Sequence, residues 1–155
     1  MKSLLIILLL FITVSVISAE DKVPEKVKTK MAELYPNAKE LNWDIEDGNF
    51  EAEFELNGTD MSVTFDKNAD VLETETKITF DALPAKIQKN VKKDYPDHEV
   101  SEAAKIDKKG VIYYEVELEK GEKEFDVLYS ADGSLIKKEA QDNENDSENE
   151  EEDND

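Results

Sequence analysis

The chain has 155 residues and no cysteine, room for one ordinary domain or two very small ones, with no disulfide and no thiol chemistry available. Its 39 acidic residues outnumber 19 basic ones, for a formal net charge of −20. Every cation is lysine, which removes bidentate recognition of phosphate, and the charge itself repels nucleic acid and anionic membranes, leaving basic proteins, basic peptides and metal cations as favoured partners.

Lys2 stands ahead of an apolar run from Leu4 to Ile17, and Ser18-Ala19-Glu20-Asp21 follows. A cation, a short apolar core and a small-residue end are the parts of a secretory signal, here cut after Ala19 or after Ser18. The run is shorter than the roughly 20 residues a spanning helix needs. The chain is therefore expected in the periplasm or outside the cell, with no membrane span after cleavage of residues 1–19.

From residue 20 the sequence matches itself. Val23-Pro24 corresponds to Leu83-Pro84, and Tyr35-Pro36 to Tyr95-Pro96. The stretch from Gly48 to Leu56 corresponds to Gly110 to Leu118, and Met61 to Phe65 corresponds to Phe125 to Tyr129. Each copy begins with a helix signal: Pro24 and Pro84 suit the first helical position. Val27, Met31 and Leu34 fall on one face of the first helix, as Ile87, Val91 and Tyr95 do on the second. Pro36 and Pro96 end both, because the residue before a proline leaves the α region.

Period-two patterns follow in each copy. Leu41, Trp43 and Ile45 alternate with polar residues, and this alternation places Trp43 in the core. Asp47-Gly48 predicts a hairpin turn, as does Asn57-Gly58. Phe50, Ala52, Phe54 and Leu56 form the inner face of a second strand. Met61, Val63 and Phe65 form that of a third. Val71 to Ile78 makes a fourth strand whose facing the pattern leaves open. In the second copy Val100, Ala104 and Ile106 suggest the first strand, and the inner faces read Ile112, Tyr114, Val116 and Leu118, then Phe125, Val127 and Tyr129. A turn at Ala131 to Ser134 precedes Leu135 and Ile136.

The fold class is thus α+β: two tandem repeats, residues 20–78 and 79–138, each a helix followed by a four-stranded antiparallel meander. Clean alternation means one buried and one wet sheet face, with the helix on the buried one. A unit of about 55 residues is marginal alone, so the two are expected to share a core or to join edges into a longer sheet. Residues 139–155 are almost wholly Asp, Glu and Asn, and this composition predicts a disordered acidic tail.

Helix, Tyr-Pro end and four-stranded meander, given twice after a signal, resemble the PepSY-like, β-lactamase-inhibitor-like family of exported bacterial proteins. The markers are Leu83-Pro84, Tyr35-Pro36, Tyr95-Pro96, Gly48 and Gly110, over roughly residues 23–138. The resemblance implies the fold of a secreted β-lactamase inhibitor and a role in restraining peptidases or binding proteins outside the cytoplasm. That inhibitor carries disulfides and this chain has none. No inhibitor contact loop matches.

The wet faces hold the candidate site. Glu51, Glu53 and Glu55 point to one side of their strand, and Tyr113, Glu115, Glu117 and Glu119 to one side of theirs. Like charges along one face repel, and an aromatic among them is the kind of anchor interfaces use. The same ladders serve equally as a solvated face that discourages edge pairing. His98 is the single histidine, placed in a turn, and no serine sits in a nucleophile elbow. No enzyme activity, resident metal or cofactor is expected. The leading function is a non-catalytic module holding a protein or basic peptide. The alternative is an acidic cation-binding or buffering protein, with weak Ca2+ binding through the tail at Asp142 to Asp146.

Overall fold

A computed structural model describes residues 19–140, residue 122 apart. The expected leader up to residue 18, and the tail with its Asp142–Asp146 segment, lie outside the described residues. A short turn of helix, α1 (Ala19–Lys22), precedes α2 (Glu25–Leu34), which leads into β1 (Lys39–Glu46), β2 (Asn49–Leu56), β3 (Thr59–Phe65) and β4 (Val71–Lys77). A 3-10 turn at Phe80–Ala82 then leads to α3 (Ala85–Asp94), β5 (Glu99–Lys108), β6 (Val111–Lys120), β7 (Lys123–Ser130) and β8 (Leu135–Ala140). Glu139 and Ala140, assigned to the tail by composition, belong to β8.

The two prolines stand one residue before their helices, at the caps, with extended ψ of 140° and 135°. Their carbonyls accept the first helical bonds, from Val27 and Lys28 on Pro24 and from Ile87 and Gln88 on Pro84. Tyr35 and Tyr95 leave the helical region ahead of Pro36 and Pro96, each still donating its N–H four residues back. Val27 and Met31 are buried, but Leu34, at the last turn, is 42% exposed. Tyr35 closes that end of the core instead, its ring 4.6 Å from Phe54.

The strands form one antiparallel sheet in sequential order, β1 to β8. Asp47-Gly48, Asn57-Gly58 and Lys109-Gly110 all have positive φ at both central positions, the geometry of tight hairpins whose twist matches the strands. Between the two open alternatives, a shared core or joined edges, the structure takes joined edges. β4 pairs with β5 through Thr74–Asp107, Glu75–Ile106, Thr76–Lys105 and Lys77–Ala104. The core itself divides. One cluster gathers Val27, Met31, Trp43, Ala52, Phe54, Val63 and Phe65. The other gathers Ile87, Val91, Ala103, Val116, Leu118, Val127 and Tyr129. The division follows from the joint, where Thr74, Thr76, Lys105 and Asp107 share the helix side of the sheet and offer little to bury.

The placing of Leu41 on the inner face with Trp43 is corrected, and the facing of β5 is set. Register slips in β1 between Lys39 and Asn42, and in β5 between Val100 and Glu102. An extra residue at a bulge reverses the alternation on one side of it. Leu41 is therefore 47% exposed, beside Glu40, whose φ is +53°. In β5, Val100 packs on the helix side and Ala103 takes the core position. Ala104 and Ile106 are buried, but on the opposite face, opposite Glu115 and Tyr113 of β6.

Candidate functional site

Directly paired residues share a sheet face, so the pairings assign every side chain. Ala52 is in the core and pairs with Trp43 and Val63. Glu51, Glu53 and Glu55 must then point away from the helices. In β6, Val116 and Leu118 are in the core, so Tyr113, Glu115, Glu117 and Glu119 also point away. Since β2 and β6 belong to one sheet, the two carboxylate rows share one open face. Four inter-strand steps separate them, about 19 Å.

What fills that interval is β4, whose facing the sequence left open. Val63 pairs with Thr74, so Thr74 faces the helices and Glu73, Glu75 and Lys77 face out. Glu75 stands in a line across the sheet: Glu53, Ser62, Glu75, Ile106, Tyr113, Ser130. Glu51, Glu53, Ser62, Glu75, Lys77 and Glu102 line a groove of about 450 Å³ on this face. A small recess between Glu75, Glu102, Ala104, Glu115 and Glu117 extends it toward β6.

The groove is partly compensated. Lys77 Nζ lies 2.5 Å from Glu102 and Lys108 Nζ lies 2.6 Å from Glu73. Those carboxylates hold both ammoniums charged to higher pH than usual. Lys39 approaches Glu55 at 4.0 Å. Ser101 donates a hydrogen bond to Glu117. Among the described residues, no lysine pairs with Glu51, Glu53 or Glu75.

Glu75 registers the result. Burial between β3 and β5, then the fields of Glu115, Glu73, Glu51 and Glu102, push its carboxyl up to about 7. Near neutral pH it is divided between acid and anion. An arriving ammonium would stabilise the anion and expel the proton.

His98 lies on the helix side, edge-on to Tyr95 and Phe125 with ring centroids 5.7 and 5.3 Å away. Its Nδ1 is buried without a hydrogen-bond partner among the described residues. Trp43 is buried with its ring 6.4 Å from Phe65. Among the described residues, no three His, Cys, Asp or Glu side chains are arranged to hold a metal ion. No helix among them is long and apolar enough to cross a membrane.

The structure thus brings Glu51, Glu53, Glu55, Tyr113, Glu115 and Glu117 onto one face, although not into one pocket. The sequence reading missed Glu75, the residue between them. Its signal was the alternation Glu73-Thr74-Glu75-Thr76-Lys77, which lacks the apolar residues that tell inside from outside.

Comparison with known proteins agrees with this architecture. The family model described as "Putative beta-lactamase-inhibitor-like, PepSY-like" matches residues 14–73 and 48–137. No curated protein matches the sequence. A "putative periplasmic" protein of Bacteroides eggerthii aligns with a TM-score of 0.71 at 20% identity, over 76% of this chain and 88% of that one. A DUF2874 family protein of Bacteroides uniformis aligns with a TM-score of 0.69 at 22% identity, over 76% and 88%. A BLIP-like protein of Bacteroides fragilis aligns with a TM-score of 0.64 at 24% identity, over 81% and 91%. Likeness at this level of identity shows a shared fold.

Proposed function

The chain belongs to the β-lactamase-inhibitor-like, PepSY-like family, and from that premise we propose that it is an exported, non-catalytic binding module whose open sheet face holds a basic peptide or a basic segment of another protein. The observation that carries the proposal is the single acidic face. Glu51, Glu53 and Glu55, then Glu75, then Glu115 and Glu117 cross it from one strand to the next, with Tyr113 among them as an aromatic anchor. Their field steers a cationic chain inward, and contact with the sheet occludes whatever it lands on. Export is supported by the leader-like N-terminus and by the periplasmic description that the Bacteroides eggerthii protein carries. The inhibitor-like family supports binding over catalysis.

The internal match belongs to the same proposal. Residues 20–78 and 79–138 are tandem copies of one helix-and-four-strand unit. The repeated order of elements supports this, as does corresponding register: Trp43 opposite Ala52 in the first half, Ala103 opposite Val116 in the second.

A calorimetric titration of the chain with a lysine-rich peptide tests the function. Saturable one-to-one binding is expected, weakened about tenfold by joint replacement of Glu51, Glu53 and Glu55 with Gln. Binding that the triple variant leaves unchanged removes these residues from the site. No binding of any cationic peptide removes the function.

A further inference from the structure

Charge is segregated between the two sides of the sheet. The helix side carries α3, with Lys86, Lys89, Lys92 and Lys93 against a single acid, Asp94. All four lysines are exposed, while Ile87 and Val91 turn into the core. Lys93 pairs with Asp94 at 2.9 Å, and Lys92 rests over the Phe80 ring. Among the described residues, Lys86, Lys89 and Lys92 make no ion pair. Asp132 accepts hydrogen bonds from Ser130 and Ser134 and feels Lys86 only as a weaker field. A shallow hollow lies along this surface, between Gln88, Lys89, Lys92 and Lys93. α2 differs: Glu25 and Glu33 sit within 3.7 and 3.9 Å of Lys28 and Lys30.

The open face complements α3 in charge and in size. Its Glu51, Glu53 and Glu75 pair with no lysine among the described residues. The row from Glu51 to Glu55 is about 14 Å long. The lysines of α3, from Lys86 to Lys93, span about 10 Å along the helix axis. A helix is about 10–12 Å across with its side chains, and the two carboxylate rows stand about 19 Å apart. An α3 laid between the rows would have Glu75 beneath it and carboxylates on either flank. The molecule thus carries both halves of one contact, on opposite sides.

From the premise that the open face holds cationic segments, on which this inference rests, we propose that a second copy of the chain is a partner of that face, its α3 lysines seated between the Glu51–Glu55 row and Glu115 and Glu117. Because α3 and the open face lie on opposite sides of one sheet, a pair of copies cannot exchange the contact reciprocally. The contact is heterologous: each pair keeps one free acidic face and one free α3, from which a ring or an open chain grows. The net charge of −20 opposes association at a distance. At ~0.15 M salt, however, exposed charges more than about 8 Å apart are largely screened, and lysines in contact with carboxylates are not.

Sedimentation velocity of the chain from residue 20 onward, at rising concentration, tests this. Oligomers that grow with concentration are expected at ~0.15 M salt, and monomers at ~1 M, where charges are screened beyond about 3 Å. Joint replacement of Lys86, Lys89, Lys92 and Lys93 by Gln should weaken association about tenfold, as should joint replacement of Glu51, Glu53 and Glu55 by Gln. Mixed one to one, the two variants should form a dimer that grows no further, since each brings the surface the other lacks. A monomer at every concentration overturns the proposal, as does association that survives ~1 M salt or that either variant leaves unchanged. So does a mixture of the variants that associates no more than each does alone. An unaltered chain that stays monomeric yet binds the lysine-rich peptide removes the second copy and leaves the open face its function; loss of peptide binding as well removes both. Should either variant fail to fold, the salt series on the unaltered chain decides.

Discussion

Glu75 is the residue at which the field of the open face is concentrated. Burial and then its carboxylate neighbours raise it from an ordinary 4.5 to about 7, so the fold favours its neutral form. The contribution is complete below about pH 4.5, where the unfolded carboxyl is protonated as well. It is lost as pH rises through about 7, and the loss then levels off. A shift of that size corresponds to a few kcal/mol, and partial solvent access to the open face reduces it to about 1–3 kcal/mol. Glu75→Gln should therefore leave stability nearly unchanged at pH 4.5 and raise it by about 1–3 kcal/mol at pH 8. Urea midpoints of the two proteins across that range check this. Parallel curves would mean that Glu75 titrates normally. The opposite behaviour belongs to Asp132, which accepts hydrogen bonds from Ser130 and Ser134 and is held down at about 2. Its stabilisation is present above the ordinary 3.8 and fades as pH falls toward about 2.

The elements differ in how plainly the sequence declares them. α2, α3 and strands β2, β3, β6 and β7 are legible because proline, Asn-Gly or Asp-Gly signals bound them and apolar residues recur with a steady period. β1 and β5 are legible as strands but not in facing. Their bulges insert one residue, and nothing in Lys39-Glu40-Leu41 or Val100-Ser101-Glu102 announces an insertion. β4 conceals the centre of the site, because both of its faces are polar: Thr74 and Thr76 meet the joint between two cores, and Glu73, Glu75 and Lys77 meet water. The β7–β8 turn shows the reverse case, a glycine whose requirement the structure explains. Gly133 has φ +79°, and a Cβ there would come within 3.0 Å of Lys86 on α3. The lysine side chain can yield, but the backbone conformation cannot change without losing the bond from Asn90 to the Gly133 carbonyl. Gly133→Ala should cost about 1–2 kcal/mol, read as a fall in the urea midpoint. An unchanged midpoint would show that the turn relaxes away from α3. In the turn between β3 and β4, Ala69 holds φ +71° without a glycine.

At the scale of the whole molecule, two cores share one sheet, and the question is whether they unfold as one body. Each half alone, about 55 residues, buries too little surface to be more than marginal. The joint between them holds four paired positions of β4 and β5. The ion pairs Lys77–Glu102 and Lys108–Glu73 flank it. Those pairs are substantially exposed, so each contributes under about 1 kcal/mol. The continuous ladder is what couples the halves, since losing β5 would strand the inner edge of β4 and turn one sheet into two marginal ones. The sole tryptophan makes coupling measurable, because Trp43 belongs to the first core and Val127 to the second. Val127 is fully buried, and Val127→Ala should cost about 2–3 kcal/mol through lost contacts and the cavity left behind. If the sheet unfolds cooperatively, the Trp43 fluorescence midpoint in urea falls as far as the circular dichroism midpoint, although the substitution lies in the other core. If the halves are independent, Trp43 reports an unchanged midpoint while circular dichroism splits into two steps. The first outcome would also bear on binding, because a partner spanning β2 to β6 would then rest on a single rigid face instead of two plates free to turn about their joint.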